Sequence, residues 1–319
     1  MLRQFIKTMA CRETHHWFLV LFRWQGSVLP AVLPRAFCCA LFGALVADFY
    51  RRGWAISLPV LGSVVPSIVL GLLLVFRTNT AYERFWEGRK IWGHLINLSR
   101  NLARHIWVSV DERVEADRHH KINMLRLLVA FAIALKLHLR SEPPNAELAA
   151  MMTPEQFQNL QAMNHPALQV AFWMADYLQD CHTQGRINTY QLAAMMNLIN
   201  GMVDAIGGCE RILKTPIPLA YSVHLKQLLM LYCLALPFQV VDSMHGWTAL
   251  IVGLISFAVF GIEEIGIEIE NPFGHDPNDL PLDLICLTMK RNIEDLISLA
   301  PSCSRPQEAN FSSAAQRLC

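Results

Sequence analysis

Gly53-Trp54-Ala55-Ile56-Ser57-Leu58-Pro59-Val60-Leu61-Gly62-Ser63-Val64-Val65-Pro66-Ser67-Ile68-Val69-Leu70-Gly71-Leu72-Leu73-Leu74-Val75-Phe76 carries no charged side chain, and Arg77 closes it. A helix of about 20 apolar residues crosses the hydrocarbon core of a bilayer, so this stretch reads as a membrane span. Before it, an apolar run begins near Val28, is interrupted by Arg35, and continues from residue 36 to Asp48. Late in the chain, residues 227–241 and 243–262 are again uncharged, with Pro237 inside the first of them. Asp242-Ser243-Met244-His245-Gly246 between them suits a tight turn joining antiparallel spans. Membrane bundles tolerate a kink at a proline such as Pro237 where neighbouring helices satisfy the freed backbone.

Composition agrees with a chain only partly in lipid. Of 319 residues, 53% are apolar and 17% charged, and the mean hydropathy is +0.30. Soluble domains run at about 45–50% apolar and about 25% charged. A net charge of +1 gives no electrostatic basis for a nucleic-acid partner. The nine cysteines form no Cys-x-x-Cys pair, and several stand in apolar runs, as small core residues do. Residues 1–25 mix Arg3, Lys7, Arg12, Glu13 and Arg23 with aromatics. They lack the clean apolar core of a signal peptide and read as an amphipathic, membrane-surface lead-in.

Between the two pairs of spans, residues 77–223 are polar and periodic. Leu125, Leu128, Val129, Ala132, Leu135 and Leu139 recur at spacings of three and four, so residues 119–140 form a one-faced helix. Its uncharged part, Leu127 to Leu135, is too short to span. Residues 167–182 and 189–206 also read as helices, with Gly207-Gly208 expected to stop the second. Thr153 and Gln156 stand at capping-box spacing. Arg3, Lys7, Arg12, Arg23 and Arg35 precede the first span, and Arg77, Arg84, Arg89 and Lys90 follow the second. Positive flanks favour the cytoplasm, which puts both termini and the polar middle there, with Arg51-Arg52 as an exception.

The expected protein is therefore all-α and integral to the membrane. Residues 1–27 are the lead-in, 28–76 the first two spans, 77–223 a helical cytoplasmic domain and 224–262 the last two spans. Residues 263–300 form an acidic loop and helix, and 301–319 a disordered tail.

Within the second span, Val64, Ile68 and Leu72 lie four residues apart on one slowly drifting helical face. From periodicity alone that face reads as lipid or helix contact before it reads as stacked apolar rings around a pore that gates by dewetting. Gly71, Ser63 and Ser67 make a small-residue side that admits close packing. Asp242, in the outer turn, and Glu263 and Glu264, at the end of the fourth span, are candidate mouth charges. The segment from Glu263 to Asp279 is rich in the oxygen ligands that hard cations take.

Phe76-Arg77-Thr78-Asn79-Thr80-Ala81-Tyr82-Glu83-Arg84-Phe85-Trp86-Glu87-Gly88-Arg89, Ile217-Pro218-Leu219-Ala220-Tyr221 and Glu270-Asn271-Pro272-Phe273-Gly274-His275-Asp276-Pro277-Asn278-Asp279-Leu280-Pro281-Leu282-Asp283 resemble signature segments of bacterial bestrophins. The resemblance extends from about residue 10 to 295. It implies a homopentameric, all-helical ion channel with its pore on the fivefold axis, in a bacterial inner membrane. It implies a neck lined by Val64, Ile68 and Leu72, and a cytoplasmic aperture near Ile199. It also aligns Asn271, Asp276 and Asp279, with Glu268 nearby, on the calcium clasp of animal members. Here the acidic run is diluted, so no cofactor is expected to be obligatory and calcium binds weakly at most. Partners are then other copies of the chain, membrane lipid and the permeant ions.

Selectivity must come from charge near the mouths, because the neck is uncharged. Asp242, Glu263 and Glu264 favour monovalent cations, and Arg51 and Arg52 favour chloride; the lean is to cations, with an anion channel as the alternative. A transporter or a non-conducting scaffold is a further alternative, although no inverted repeat or mid-membrane charge supports a transporter. No phosphate loop, nucleophile elbow or metal-spaced histidine pair supports an enzyme, His15-His16 and His119-His120 included.

Overall fold

In the computed structural model of the protein, residue 24 and residues 26–58 and 64–299 are described, Val64 by its backbone alone. The lead-in up to residue 23, Ser63 and the tail from residue 300 lie outside them. The described secondary structure is helical: α1 (Leu29–Arg51), α2 (Val64–Ser109), α3 (Glu115–Leu139), α4 (Ala146–Ala149), α5 (Pro154–Gln161), α6 (Pro166–Thr183), α7 (Thr189–Lys214), α8 (Leu219–Met244), α9 (Thr248–Glu268) and α10 (Leu282–Ser298). The chain divides into two compact units. One holds residues up to Trp86 and Thr215–Asp279; the other holds Glu87–Lys214 and the residues from Leu280 onward.

The first unit contains the four apolar helices. α1 packs against α9 and α8. Small residues make this possible: Ala36, Cys39, Gly43 and Ala47 of α1 are buried. A Cβ on Gly253 would lie 3.0 Å from that of Ala40, and one on Gly43 would lie 3.3 Å from that of Val252. Bulky Phe37, Leu41 and Leu45 point away from this seam and are exposed. Large side chains outside and small ones inside is the arrangement expected of helices that associate in lipid, where packing replaces the hydrophobic effect. Leu70 and Leu74 of α2 join Val32, Leu225, Leu229 and Val252 in one apolar cluster. α8 ends at Met244, and a 3-10 turn (His245–Trp247) leads into α9. The reversal is made by His245 with φ of 47° and closed by Thr248 Oγ1 donating to its carbonyl at 2.7 Å.

The second unit is built around α3, which α6, α10 and α7 surround. By length and composition α3 resembles a span, yet 78% of its most apolar window is buried inside the protein, against 28% for α1. It is a core helix. Its start is pinned by Asp117, whose Oδ2 accepts from the backbone N–H of Arg113 at 2.8 Å and Val114 at 3.1 Å, while Arg186 lies 3.0 Å from Oδ1. Thr153 and Gln156 make the reciprocal capping box at 3.3 and 3.1 Å.

Two boundaries differ from the sequence reading. α2 does not stop at Phe76 but runs for 46 residues. The charges after Phe76 lie along a continuing helix instead of marking its end. α7 passes through Gly207-Gly208 to Lys214. A Cβ on Gly208 would sit 2.8 Å from Cδ1 of Ile91, so that glycine serves close helix approach and not termination.

Candidate functional site

The head of α2 has two sides. Leu70 and Leu74 are buried in the first unit, whereas Val65, Ile68, Val69, Leu72, Val75 and Phe76 are exposed. These large apolar side chains recur at three and four, giving an apolar stripe that the described residues leave uncovered. Ile68 and Leu72, two of the expected neck residues, are 56% and 54% exposed. The side chain of the third, Val64, lies outside the described residues. A Cβ on Gly71 would meet nothing within 4 Å.

Below this stripe the three signature segments meet at Glu270. Its Oε2 accepts from Arg77 Nη2 at 2.7 Å and its Oε1 from the N–H of Ile217 at 3.0 Å. Its backbone carbonyl accepts from Arg84 Nε at 3.1 Å, and Arg84 also donates to the carbonyl of Thr215. Arg77 is buried. Tyr221 reaches across to donate to the carbonyl of Leu73 at 2.5 Å. A buried guanidinium demands a carboxylate at close range, which accounts for these residue types in these segments. The network clamps α2 just past its apolar stripe to the start of α8 and the end of α9.

Other expected site residues fall elsewhere. Ile199 is 3% exposed, enclosed by the described residues of its own unit. On the same helix Tyr190 is 88% exposed. Glu263 is buried, and Glu264 is held by Arg35 Nη1 at 2.7 Å. Neither is a free mouth charge, and the lean to cations loses that support. Asp242 is exposed, its Oδ1 accepting from the Tyr50 hydroxyl at 2.6 Å. In the acidic loop, Asp279 Oδ2 accepts from the N–H of Asp276 at 2.8 Å, Asn271 Oδ1 from the N–H of Phe273 at 3.4 Å, and Glu268 from the Asn278 amide. These hydrogen bonds close the loop on itself.

One cluster has no counterpart in the sequence reading. His138, His165 and Glu210 come together in the second unit, with Lys214 on the far oxygen of Glu210 at 3.0 Å. Lys214 and His138 hold the Glu210 carboxyl down to about 2. Glu210 lies 72 and 45 residues from the two histidines, so no local spacing announces the group.

An all-helical membrane protein with an uncovered apolar stripe on its second helix, anchored by three converging segments, is the class these features define. The chain belongs to the bacterial and fungal bestrophin family, whose description, "Bacterial/Fungal Bestrophin protein", matches residues 9–295. A voltage-dependent anion channel-forming protein of Nostoc sp. is 61% identical, covering 90% of this chain and 94% of that protein. One of Escherichia coli K12 is 33% identical over 87% of this chain and 90% of that protein. The crystal structure of a point mutant of a bacterial bestrophin homologue from Klebsiella pneumoniae is 28% identical and superposes with a TM-score of 0.75, covering 86% of this chain and 100% of that one. Membership in this family sets the enzyme reading aside.

Proposed function

We propose that the chain is one subunit of a homopentameric anion channel in a bacterial inner membrane, with both termini cytoplasmic. The observation that carries this reading is the apolar stripe on α2, left uncovered by the described residues of its own subunit and clamped at its lower end by Glu270. In a ring of copies, Val64, Ile68 and Leu72 form the neck, which passes ions when it wets. Anions, in place of the cations first favoured, are supported by the names of the relatives and by the occupation of Glu263 and Glu264 within the subunit. The aperture of the cytoplasmic domain passes from Ile199 to Tyr190, which meets the condition of exposure. Calcium is not required for this reading, since the loop from Glu268 to Asp279 closes through its own hydrogen bonds.

Planar-bilayer recording of the purified protein under a NaCl gradient tests it. The reversal potential should lie near that of chloride, and Ile68→Ala should raise single-channel current because a wider ring wets more readily. A reversal near the sodium value would sink the anion assignment. Unchanged current in Ile68→Ala would sink the neck.

A further inference from the structure

Three helices of the second unit bring two imidazoles and a carboxylate to one point. His138 stands in the last turn of α3, His165 caps the start of α6, and Glu210 lies in α7. Both Nε2 atoms face the same oxygen, Glu210 Oε1, His138 at 2.7 Å and His165 at 3.2 Å. The rings lie 4.3 Å apart at 32°, so they present the same edge in the same direction.

We propose that His138, His165 and Glu210 form a binding site for a divalent transition-metal ion of the zinc class. Two neutral nitrogen donors with one carboxylate suit such an ion and not calcium or magnesium, which take oxygen. Around a tetrahedral zinc with bonds of about 2.0–2.1 Å, the ligand atoms lie roughly 3–4 Å from one another. The three donor atoms all lie within 4.8 Å of one another. The second carboxylate oxygen is already engaged by Lys214, which leaves Oε1 to the ion. His138 also lines a cleft of about 290 Å³ with Ser141, Glu142 and Asn164.

The tautomers specify what binding changes. His165 Nδ1 accepts from the N–H of Leu168 at 3.2 Å, so its Nε2 carries the proton that points at Glu210. An ion displaces that proton, the ring takes its hydrogen on Nδ1, and the cap to Leu168 is lost. One helix cap is a small loss beside the binding of a divalent ion by three side chains. Because the ion and a proton compete for the same imidazole nitrogens, binding must weaken as the solution is acidified.

The inference does not depend on the channel reading, and its test reads no conductance. Full-length protein in detergent, stripped with a chelator, is titrated with ZnCl₂ by calorimetry and with CoCl₂ by visible absorption. One saturable equivalent per chain is expected, with cobalt bands lacking thiolate charge transfer. Binding should be at least tenfold weaker in the near-isosteric Glu210→Gln and in His165→Ala. Absence of a saturable equivalent in the wild type would overturn the proposal, as would a thiolate band or unchanged affinity in Glu210→Gln. Should His165→Ala not fold, the wild-type cobalt spectrum and Glu210→Gln still decide.

Discussion

Glu270 links three stretches that are far apart in sequence, through both side-chain oxygens and its own carbonyl. Arg77 beside it is buried, and a buried charge left without its partner costs several kcal/mol. Glu270→Ala should therefore destabilise the first unit by about 3–5 kcal/mol, read as a large drop in the thermal midpoint in detergent. A midpoint within a degree of wild type would mean that the anchor is dispensable. Asp117 makes a different prediction. The backbone N–H of Arg113 first, and then that of Val114 and the charge of Arg186, hold its carboxyl below the usual range against the opposing effect of burial; His120 adds to the lowering. A lowered folded value means stability that is complete above about pH 4 and is lost as pH falls through the lowered value. Asp117→Asn should melt earlier than wild type at pH 7, and the gap should close on acidification below about pH 4. A gap that persists unchanged at low pH would count against the role of its charge.

Helices α1 and α9 meet through small side chains, and there the margin is tenths of an ångström. A Cβ at position 253 falls 3.0 Å from the Cβ of Ala40, an atom with no rotamer to yield. Gly253→Val should cost about 1–3 kcal/mol through overpacking, seen as a lower thermal midpoint and less folded protein; full stability would refute the seam. Elements were legible in the sequence where a single physical cause was at work. Uncharged runs locate α1, α8 and α9, and the Thr153 box marks the start of α5. The sequence misleads where one residue type serves two ends. Gly207-Gly208 looks like a stop because glycine terminates helices, but a helix packed against Ile91 needs glycine equally. The charges from Arg77 to Lys90 look like the end of a span, but they are also what a helix needs when it continues beyond the lipid.

The site divides the same way at the scale of the whole molecule. The α2 stripe could be read from spacing together with the family resemblance, because it lies on one helix. The roles of Glu263 and Glu264 could not, since Arg35 stands 229 residues before Glu264. Nor could the His138, His165 and Glu210 cluster, which exists only once three helices have packed.

The order of segments along the chain has a consequence for how the protein is made. α1 leaves the ribosome early, but α9, the helix it packs against, is completed only at Glu268. At about 5–20 residues per second, synthesis of the roughly 200 intervening residues takes on the order of ten seconds or more. During that interval the seam of Ala36, Ala40, Gly43 and Ala47 faces lipid with nothing opposite. A seam built from charges or amides would be costly to hold there and would capture any polar stretch passing through the translocation machinery. A seam of small apolar side chains waits at little cost, so the nascent chain can postpone its closing contact until α9 arrives.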